Sequence, residues 1–540
     1  MKIAIAQINL IVGDIHQNQV NILDQIKQAQ NADIDILVFP ELTVCGYLPE
    51  DLLYHQQFLD DCITSVKYIA EHCGDICVVI GFPRNHPNEP EKLHNSAAFI
   101  QNRKIKMVYD KHRLPNYLVF DEERYFTPGN HDGIIEVEIK GESYKLGINI
   151  CEDIWGDAQI VVEQAKHKLD WWINISASPY AVDKIGPRIK MLQKRCKDNK
   201  TNLVYCNMVG GQDELVFDGT SVIINNKGKL LAQCETFKPE LLIYDSKQNE
   251  TQISKRLDHH AELYQALLLS TQDYFQKNGF TKAIVCLSGG IDSALTAAIA
   301  VDALGPKNVI GLLLPSKFSS QHSLDDAIIL AQNLGIITHT LPIEPLHNQF
   351  EKSLQPFFEN YHNNLTDENI QARIRGTLAM AFANNHKAIL LSTGNKSEVA
   401  VGYSTLYGDM AGGFAIIKDL FKLEVYELCE YRNTLSLVIP QSTIDKPPSA
   451  ELRPEQKDSD SLPDYEILDD ILRAYIHEFE DAEQISERGH DLALVNKVLK
   501  MVDRNEYKRQ QAAPGPRLTK MAFGKDRRMP ITNGYPNNYG

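Results

Sequence analysis

Apolar residues in the first 245 positions fall in short runs: KIAIAQINL, DILVFPE, CVVIGFP, SAAFIQ, KMVYDK, YKLGINIC, WWINISAS, NLVYCNMV, GTSVIIN and LLAQCE. Runs of this length, rich in Val, Ile and aromatic residues, predict β-strands. Between them, NQVNILDQIKQAQ, QQFLDDCITSVKYIAEHC and IVVEQAKHKL space their apolar residues as amphipathic helices do. Several strand runs follow one another directly, as hairpins would, so this half is not a simple βαβ repeat. A polar stretch, YDSKQNETQISKRLDHH, then breaks the pattern and leads into the helical segment AELYQALLLSTQDYFQKNG. Beyond it the rhythm changes. KAIVCLS, NVIGLLLPS, ITHTLPI and KAILLSTGN alternate with the helical DSALTAAIAVDAL and DDAIILAQNLG. Strand–helix–strand alternation predicts a parallel, doubly wound sheet.

The expected division is therefore an α/β chain with one domain at 1–245, a linker at 246–260 and a second domain at 261–540. Within the second, DKPPSAELRPEQKDSDSLPDY is rich in Pro, Ser and charge, and is expected to be mobile or ordered by ligand. The opening MKIAIAQINLIVG is interrupted by Gln7 and Asn9 and followed by Asp14, so it reads as a strand and not as a secretion signal. No run of 18 apolar residues occurs, and no membrane span is expected.

Composition narrows the function. The 540 residues exceed one ordinary domain. The formal charge of −16 argues against a general nucleic-acid coat or an anionic-membrane binder. Residues Met501 to Arg528 do carry eight Lys/Arg against three Asp/Glu. Binding of pyrophosphate-bearing substrates accounts for that local charge as well as nucleic acid would. Ten scattered cysteines, without CxxC or zinc-like spacing, suggest reduced and mostly buried thiols in a cytoplasmic protein.

Three reactive residues end strand-like runs: Glu41 in DILVFPE, Lys111 in KMVYDK and Cys151 in YKLGINIC. Singly, each is more often a surface or core residue. Together they hold a nucleophile, a base and a fixed positive charge, the set that carboxamide hydrolysis needs. Lys111 would also depress the thiol pKa. The flanks FPELTVCGY, YDKHRLPNY and GINICEDIW, with NISASPY after them, resemble the nitrilase/amidase superfamily over the N-terminal half. That resemblance implies an α-β-β-α sandwich. For a domain joined to a synthetase it implies glutamine as the amide, held by Tyr117, Glu152, Ser178 and Lys184.

In the second half, LSGGIDSA spans Leu287, Ser288, Gly289, Gly290, Ile291, Asp292, Ser293 and Ala294, between a strand and a helix. It is not the G-x-x-x-x-G-K-[ST] loop of P-loop NTPases. Its glycines let the backbone approach pyrophosphate, Ser288 and Ser293 add hydroxyl donors, and Asp292 suits Mg²⁺. The loop resembles SGGxDS of the ATP-pyrophosphatases, adenine nucleotide α-hydrolase-like enzymes that adenylate a carboxylate and release pyrophosphate. ENIQARIRG, LSTGNKSEVAVGYSTLYGD, KPPSAEL and EYKRQQAAPGP then resemble NAD synthetases, and the whole chain resembles the glutamine-dependent kind. That resemblance implies ATP contacts at Thr393 and Lys422, deamido-NAD contacts at Asn369, Glu398, Tyr403 and Lys508, and Mg²⁺ ligands at Asp292 and Glu398. Ammonia-only relatives carry Asp and Lys where Leu406 and Gly413 stand, which leaves the nicotinate-ring contacts open. Two further readings are another ATP-pyrophosphatase amidotransferase and an inactive nucleotide sensor. We expect an internal passage for ammonia and at least a homodimer.

Overall fold

The side chains of strand Lys2–Gln7 alternate: Ile3 and Ile5 face one way, Ala4 and Ala6 the other, and all four are buried. A strand covered on both faces belongs inside a layered domain. In this computed structural model, which describes residues 1–157, 159–248, 251–358 and 364–535, it lies in a six-stranded mixed sheet. The order is Glu240–Asp245, Lys2–Gln7, Ile36–Val38, Cys77–Asn85, Leu93–Gln101 and Lys104–Asp110. A second sheet has seven strands in the order Gln252–Ile253, Leu230–Gln233, Val222–Ile224, Asn202–Asn207, Trp171–Ser176, Glu142–Ile150 and Ile134–Ile139.

The sheets meet through one apolar layer, with Ile3, Val38, Val79 and Phe99 against Ile148, Ile150, Ile173 and Val204. The alternate residues of the first sheet pack on helices Ile15–Asn31 and Gln56–His72 through Ile22, Ile26, Leu59 and Val66. Those of the second pack on helices Gln159–Ala165 and Ile185–Asn199 through Val161, Leu192 and Cys196. This is an α-β-β-α sandwich.

The chain forms two compact units, Met1–Leu257 and Asp258–Gly540. The stretch 246–260 differs from a free linker. Gln252–Ile253 pairs in parallel with Leu230–Gln233, and Asp258 caps helix His259–Lys277 by accepting from Ala261 N. Residues 249 and 250 of that stretch lie outside the described residues.

In the second unit a wholly parallel four-stranded sheet runs Ile337–Thr340, Val309–Leu313, Ala283–Cys286, Ile389–Leu391. Helix Leu365–His386 covers it through Ile370, Ile374 and Ala383, packed with Ile284, Ile310 and Leu390. Helix Ile291–Leu304, buried along most of its length, packs on the two central strands. The doubly wound arrangement puts the loops after all four strands at one edge of the sheet, where such folds bind ligands.

Two expectations change. The Pro- and Ser-rich loop is tied down: Lys446 pairs with Glu451 at 2.8 Å, Glu451 accepts from Ser323 Oγ at 2.6 Å, and Gln371 donates to Leu452 O at 3.0 Å. The basic tail keeps much of its charge inside the unit. Arg509 and Arg527 pair with Glu506, Arg517 pairs with Asp526, and all five are buried. All ten cysteines are free thiols, nine of them buried. Among the described residues no helix is long and apolar enough to cross a membrane.

Candidate active sites

The ends of three strands in the first unit converge. Lys111 directly follows Lys104–Asp110, Cys151 directly follows Glu142–Ile150, and Glu41 lies just beyond Ile36–Val38. Lys111 Nζ donates to Glu41 Oε1 at 2.6 Å and to Glu122 Oε1 at 2.8 Å, with all three side chains sealed from solvent. Asn95 Nδ2 donates to Glu41 Oε1 at 2.8 Å, and Ala177 N to Oε2 at 2.9 Å. The base is thus held from three sides. Tyr47 OH donates to Glu122 at 2.8 Å. Burial pushes Glu122 up to about 7 against the pull of Lys111.

Cys151 begins a short 3-10 turn with φ of +41°, a left-handed conformation uncommon for a residue with a side chain. Its thiol feels opposing influences. Lys111 draws the pKa down, but burial first and the Glu41 carboxylate second push it well above the ordinary thiol value. That direction favours the neutral thiol over the thiolate.

The four residues expected around the amide substrate form two pairs. Tyr117 OH donates to Glu152 Oε2 at 3.1 Å, and Lys184 Nζ donates to Ser178 Oγ at 3.0 Å and Pro179 O at 2.8 Å. Lys184 also lies 5.7 Å from the Trp155 ring centre and electrostatically favours the Glu152 carboxylate. An ammonium facing Glu152 and a carboxylate facing Lys184 would suit an α-amino acid. Tyr117 is half exposed, so this side opens to solvent.

The second unit holds a cavity of about 920 Å³ at the ligand edge of its sheet. It is lined by Leu287, Ser288, Gly290, Ile291, Asp292 and Ser293 of the Gly-rich turn, and by Asn369, Thr393, Glu398, Tyr403, Lys422 and Lys508. Gly289 and Ala294 do not line it. Gly289 has φ of +76°, and a Cβ there would sit 2.2 Å from Ser323 O, so its role is backbone approach. Ala294 is buried inside the helix. The hydroxyls of Ser288 and Ser293, expected as donors to ligand, bond within the turn: Ser293 Oγ to Gly290 O at 2.9 Å, and Gly290 N to Ser288 Oγ at 3.2 Å. The N-terminus of helix Ile291–Leu304 has no side-chain cap, which leaves backbone N–H groups for an anion.

Asp292 accepts from Lys422 Nζ at 2.5 Å and from Asn395 Nδ2 at 2.9 Å, while Glu398 stands 3.5 Å from the same ammonium. Burial and the neighbouring Asp292 push Glu398 up to about 8. Two hard carboxylates sharing one lysine are a donor set that fits Mg²⁺. Among the described residues no group of three or more His, Cys, Asp or Glu forms a cage. Asn369 Oδ1 accepts from Thr405 Oγ1 at 2.7 Å, and Lys508 Nζ donates to Gly402 O and Ser404 O at 2.7 and 2.8 Å. Leu406 lines the cavity. Gly413 does not, and its N–H bonds Leu390 O.

Residues 2–256 match the carbon–nitrogen hydrolase family and residues 263–512 the NAD synthase family. Over the full length the chain is 45% identical to a glutamine-dependent NAD(+) synthetase of Acinetobacter baylyi, covering 99% of this chain and 98% of that one. It is 42% identical to its counterpart in Aquifex aeolicus, covering 99% and 100%. The chain belongs to the glutamine-dependent NAD(+) synthetase family. In structure it is similar to the family member from Acinetobacter baumannii solved in complex with ADP, with a TM-score of 0.79 at 42% identity over 99% of each chain. A Cytophaga hutchinsonii member shares the fold, with a TM-score of 0.83 over 99% and 98% of the chains.

Residues not singled out in the sequence join both sites of this family member. Glu122 contacts Lys111 and Asn95 contacts Glu41, yet DEERYF and LHNSAAF carry no signal that separates them from surface or strand residues. Arg375, inside ENIQARIRG, lines the same cavity. Its Nε donates to Leu314 O at 2.9 Å, and among the described residues no carboxylate lies within ion-pair distance of it. Burial pushes its pKa down, with Glu451 opposing from farther away. The quoted spacing covered Arg375, but only the fold puts it at the strand ends.

Proposed function

We propose that this chain amidates deamido-NAD to NAD with ATP and with nitrogen taken from glutamine. Cys151 Sγ attacks the glutamine carboxamide carbon while Glu41 accepts the thiol proton. Lys111 stabilises the oxyanion that develops on the carboxamide oxygen. Glu41 then protonates the departing nitrogen, ammonia leaves, and water hydrolyses the thioester to glutamate. Tyr117, Glu152, Ser178 and Lys184 hold the amino-acid end. A neutral thiol suits this sequence, because proton transfer to Glu41 and attack then occur together.

In the second unit a carboxylate oxygen of deamido-NAD attacks the α-phosphorus of ATP and pyrophosphate leaves. Ammonia attacks the adenylated carbonyl, and AMP leaves as the amide forms. The backbone of Leu287–Ala294, together with Thr393, Lys422 and Arg375, binds the anionic nucleotide. Asn369, Glu398, Tyr403 and Lys508 bind deamido-NAD. Asp292 and Glu398 would hold Mg²⁺, which when bound neutralises phosphate charge.

The observation that carries this reading is the presence of two complete sets of reactive groups, one in each unit of a chain matched end to end by the family. The test is Cys151→Ala. NAD formation from glutamine should vanish, and formation from added ammonium chloride should stay within about threefold of wild type. A folded variant that fails with both nitrogen sources would refute the division of labour.

A further inference from the structure

Nothing bonds the Cys151 thiol directly to Glu41 or Lys111, and Cys151 sits in a strained left-handed turn. Something else must fix its distance from the other two groups. Asp153, fully buried two residues later, makes four contacts that do this. Its Oδ2 accepts from Ile150 N at 2.9 Å and from Tyr109 OH at 2.8 Å. Its Oδ1 accepts from His112 N at 3.2 Å and Arg113 N at 2.9 Å. Ile150 immediately precedes the nucleophile. Tyr109 and His112 flank Lys111 on both sides, and the Tyr109 ring stacks on His112 with centroids 5.3 Å apart.

We propose that Asp153 is the positioning residue that holds the nucleophile turn against the Lys111 segment, setting where Cys151 Sγ stands relative to the base and the cation. The proposal rests on the reading of Cys151 as the nucleophile.

An ionised carboxylate offers about four lone-pair sites, and here all four are used by donors. Two of the accepted bonds come from backbone N–H groups following the lysine and one from the residue before the cysteine, so the clamp joins strands Lys104–Asp110 and Glu142–Ile150 at their ends. These strands are the edge of one sheet and a member of the other, so no shared ladder sets their relative position there. An asparagine of the same shape cannot accept from all four donors. Its amide nitrogen would face a donor and leave one backbone N–H unpaired. A second strap, Asn174 Nδ2 to Cys151 O at 3.5 Å, holds the turn from the opposite side and is too long to replace the first.

The test compares full-length wild type, Asp153→Asn and Tyr109→Phe in glutamine hydrolysis, in ammonium-driven NAD formation, and in the pH profile of Cys151 alkylation by iodoacetamide. Misplacing a nucleophile by around 1 Å costs roughly 100-fold, so kcat for glutamine should fall by about that factor in Asp153→Asn, with KM changed less than about threefold. Tyr109→Phe, which removes one bond and no charge, should lose roughly tenfold in kcat. In both, the alkylation profile should shift, because the distance of the thiol from Glu41 and Lys111 sets its acidity. Ammonium-driven synthesis should be unchanged. If both variants keep wild-type kcat per reactive thiol and the wild-type alkylation profile, with activity lost only in proportion to folded protein, Asp153 is merely structural and the proposal is overturned. Should wild type hydrolyse no glutamine, the assigned amide is wrong. The alkylation profiles then decide the positioning role by themselves.

Discussion

Asp292 shows how much of a site one residue can carry. It is the first acidic residue of an uncapped helix, it accepts from Lys422 and Asn395, and it raises the pKa of Glu398. The SGGxDS spacing puts the aspartate at the helix start, but its three partners lie more than 100 residues away in sequence and meet it only through the fold. Asp292→Asn keeps the shape and removes the charge. We expect AMP formation to fall by about 100-fold or more with either glutamine or ammonium as nitrogen source, while glutamine hydrolysis stays measurable. AMP release at the wild-type rate would sink the metal-holding role. Glu122 is the converse case. Its side chain meets the site through two contacts, Lys111 and Tyr47, with Glu41 on the far side of the lysine, and no local pattern in the sequence marks them.

Elements were legible in proportion to the apolar stripe they carry. The helices at Ile15–Asn31 and Gln56–His72 and the strands at Cys77–Asn85 and Trp171–Ser176 follow directly from periodicity. Helix Ile185–Asn199 does not, because basic residues dilute its stripe and one core position is an arginine: Arg188 is buried against Asp218 and the Tyr205 ring. Strand Glu240–Asp245 was also missed, since its partner, Lys2–Gln7, lies at the other end of the unit. The short helix Lys396–Val401, capped by Asn395, carries Glu398 into the cavity, and its anchor is equally non-local. Lys396, sealed from solvent, donates to Asp419 at 2.6 Å and to His477, Thr519 Oγ1 and Met521 O at 2.8 Å each. Lys396→Met leaves Asp419 as a buried charge without its cation, so stability by denaturant titration should drop by about 3–5 kcal/mol. A loss below about 0.5 kcal/mol would mean that the backbone donors Leu518 and Thr519 hold Asp419 unaided.

At the scale of the whole molecule, buried ionisable groups give stability a pH dependence. His477 is pushed down to about 3 by burial first and by Lys396 next, with Arg473 and Lys520 adding to the effect and Asp419 opposing it. Unfolded, the same imidazole titrates near 6.5. Between these values the unfolded chain binds the extra proton, so this group's contribution is intact above about pH 6.5 and is lost as pH falls toward 3. His477→Gln keeps an acceptor for Lys396 and removes the titration. The stability difference between wild type and His477→Gln should therefore change by about 1.4 kcal/mol per pH unit between pH 6 and 4. A difference that stays flat over this range would show that His477 is protonated in the folded chain.

Periodicity, turn residues and motif spacing were enough to read two α/β units, the parallel sheet of the second, the candidate trio Glu41, Lys111 and Cys151 at strand ends, and the Gly-rich turn with Asp292, because all of these depend on near neighbours in the chain; the sandwich of the first unit came from the family resemblance. The convergence of three strand ends, the raised thiol pKa of Cys151, the clamp at Asp153, the buried Arg375 at the cavity and the ordering of the loop 445–465 came only from the tertiary structure. They depend on which groups lose water together and which charges then face one another, and burial acts between residues tens to hundreds of positions apart.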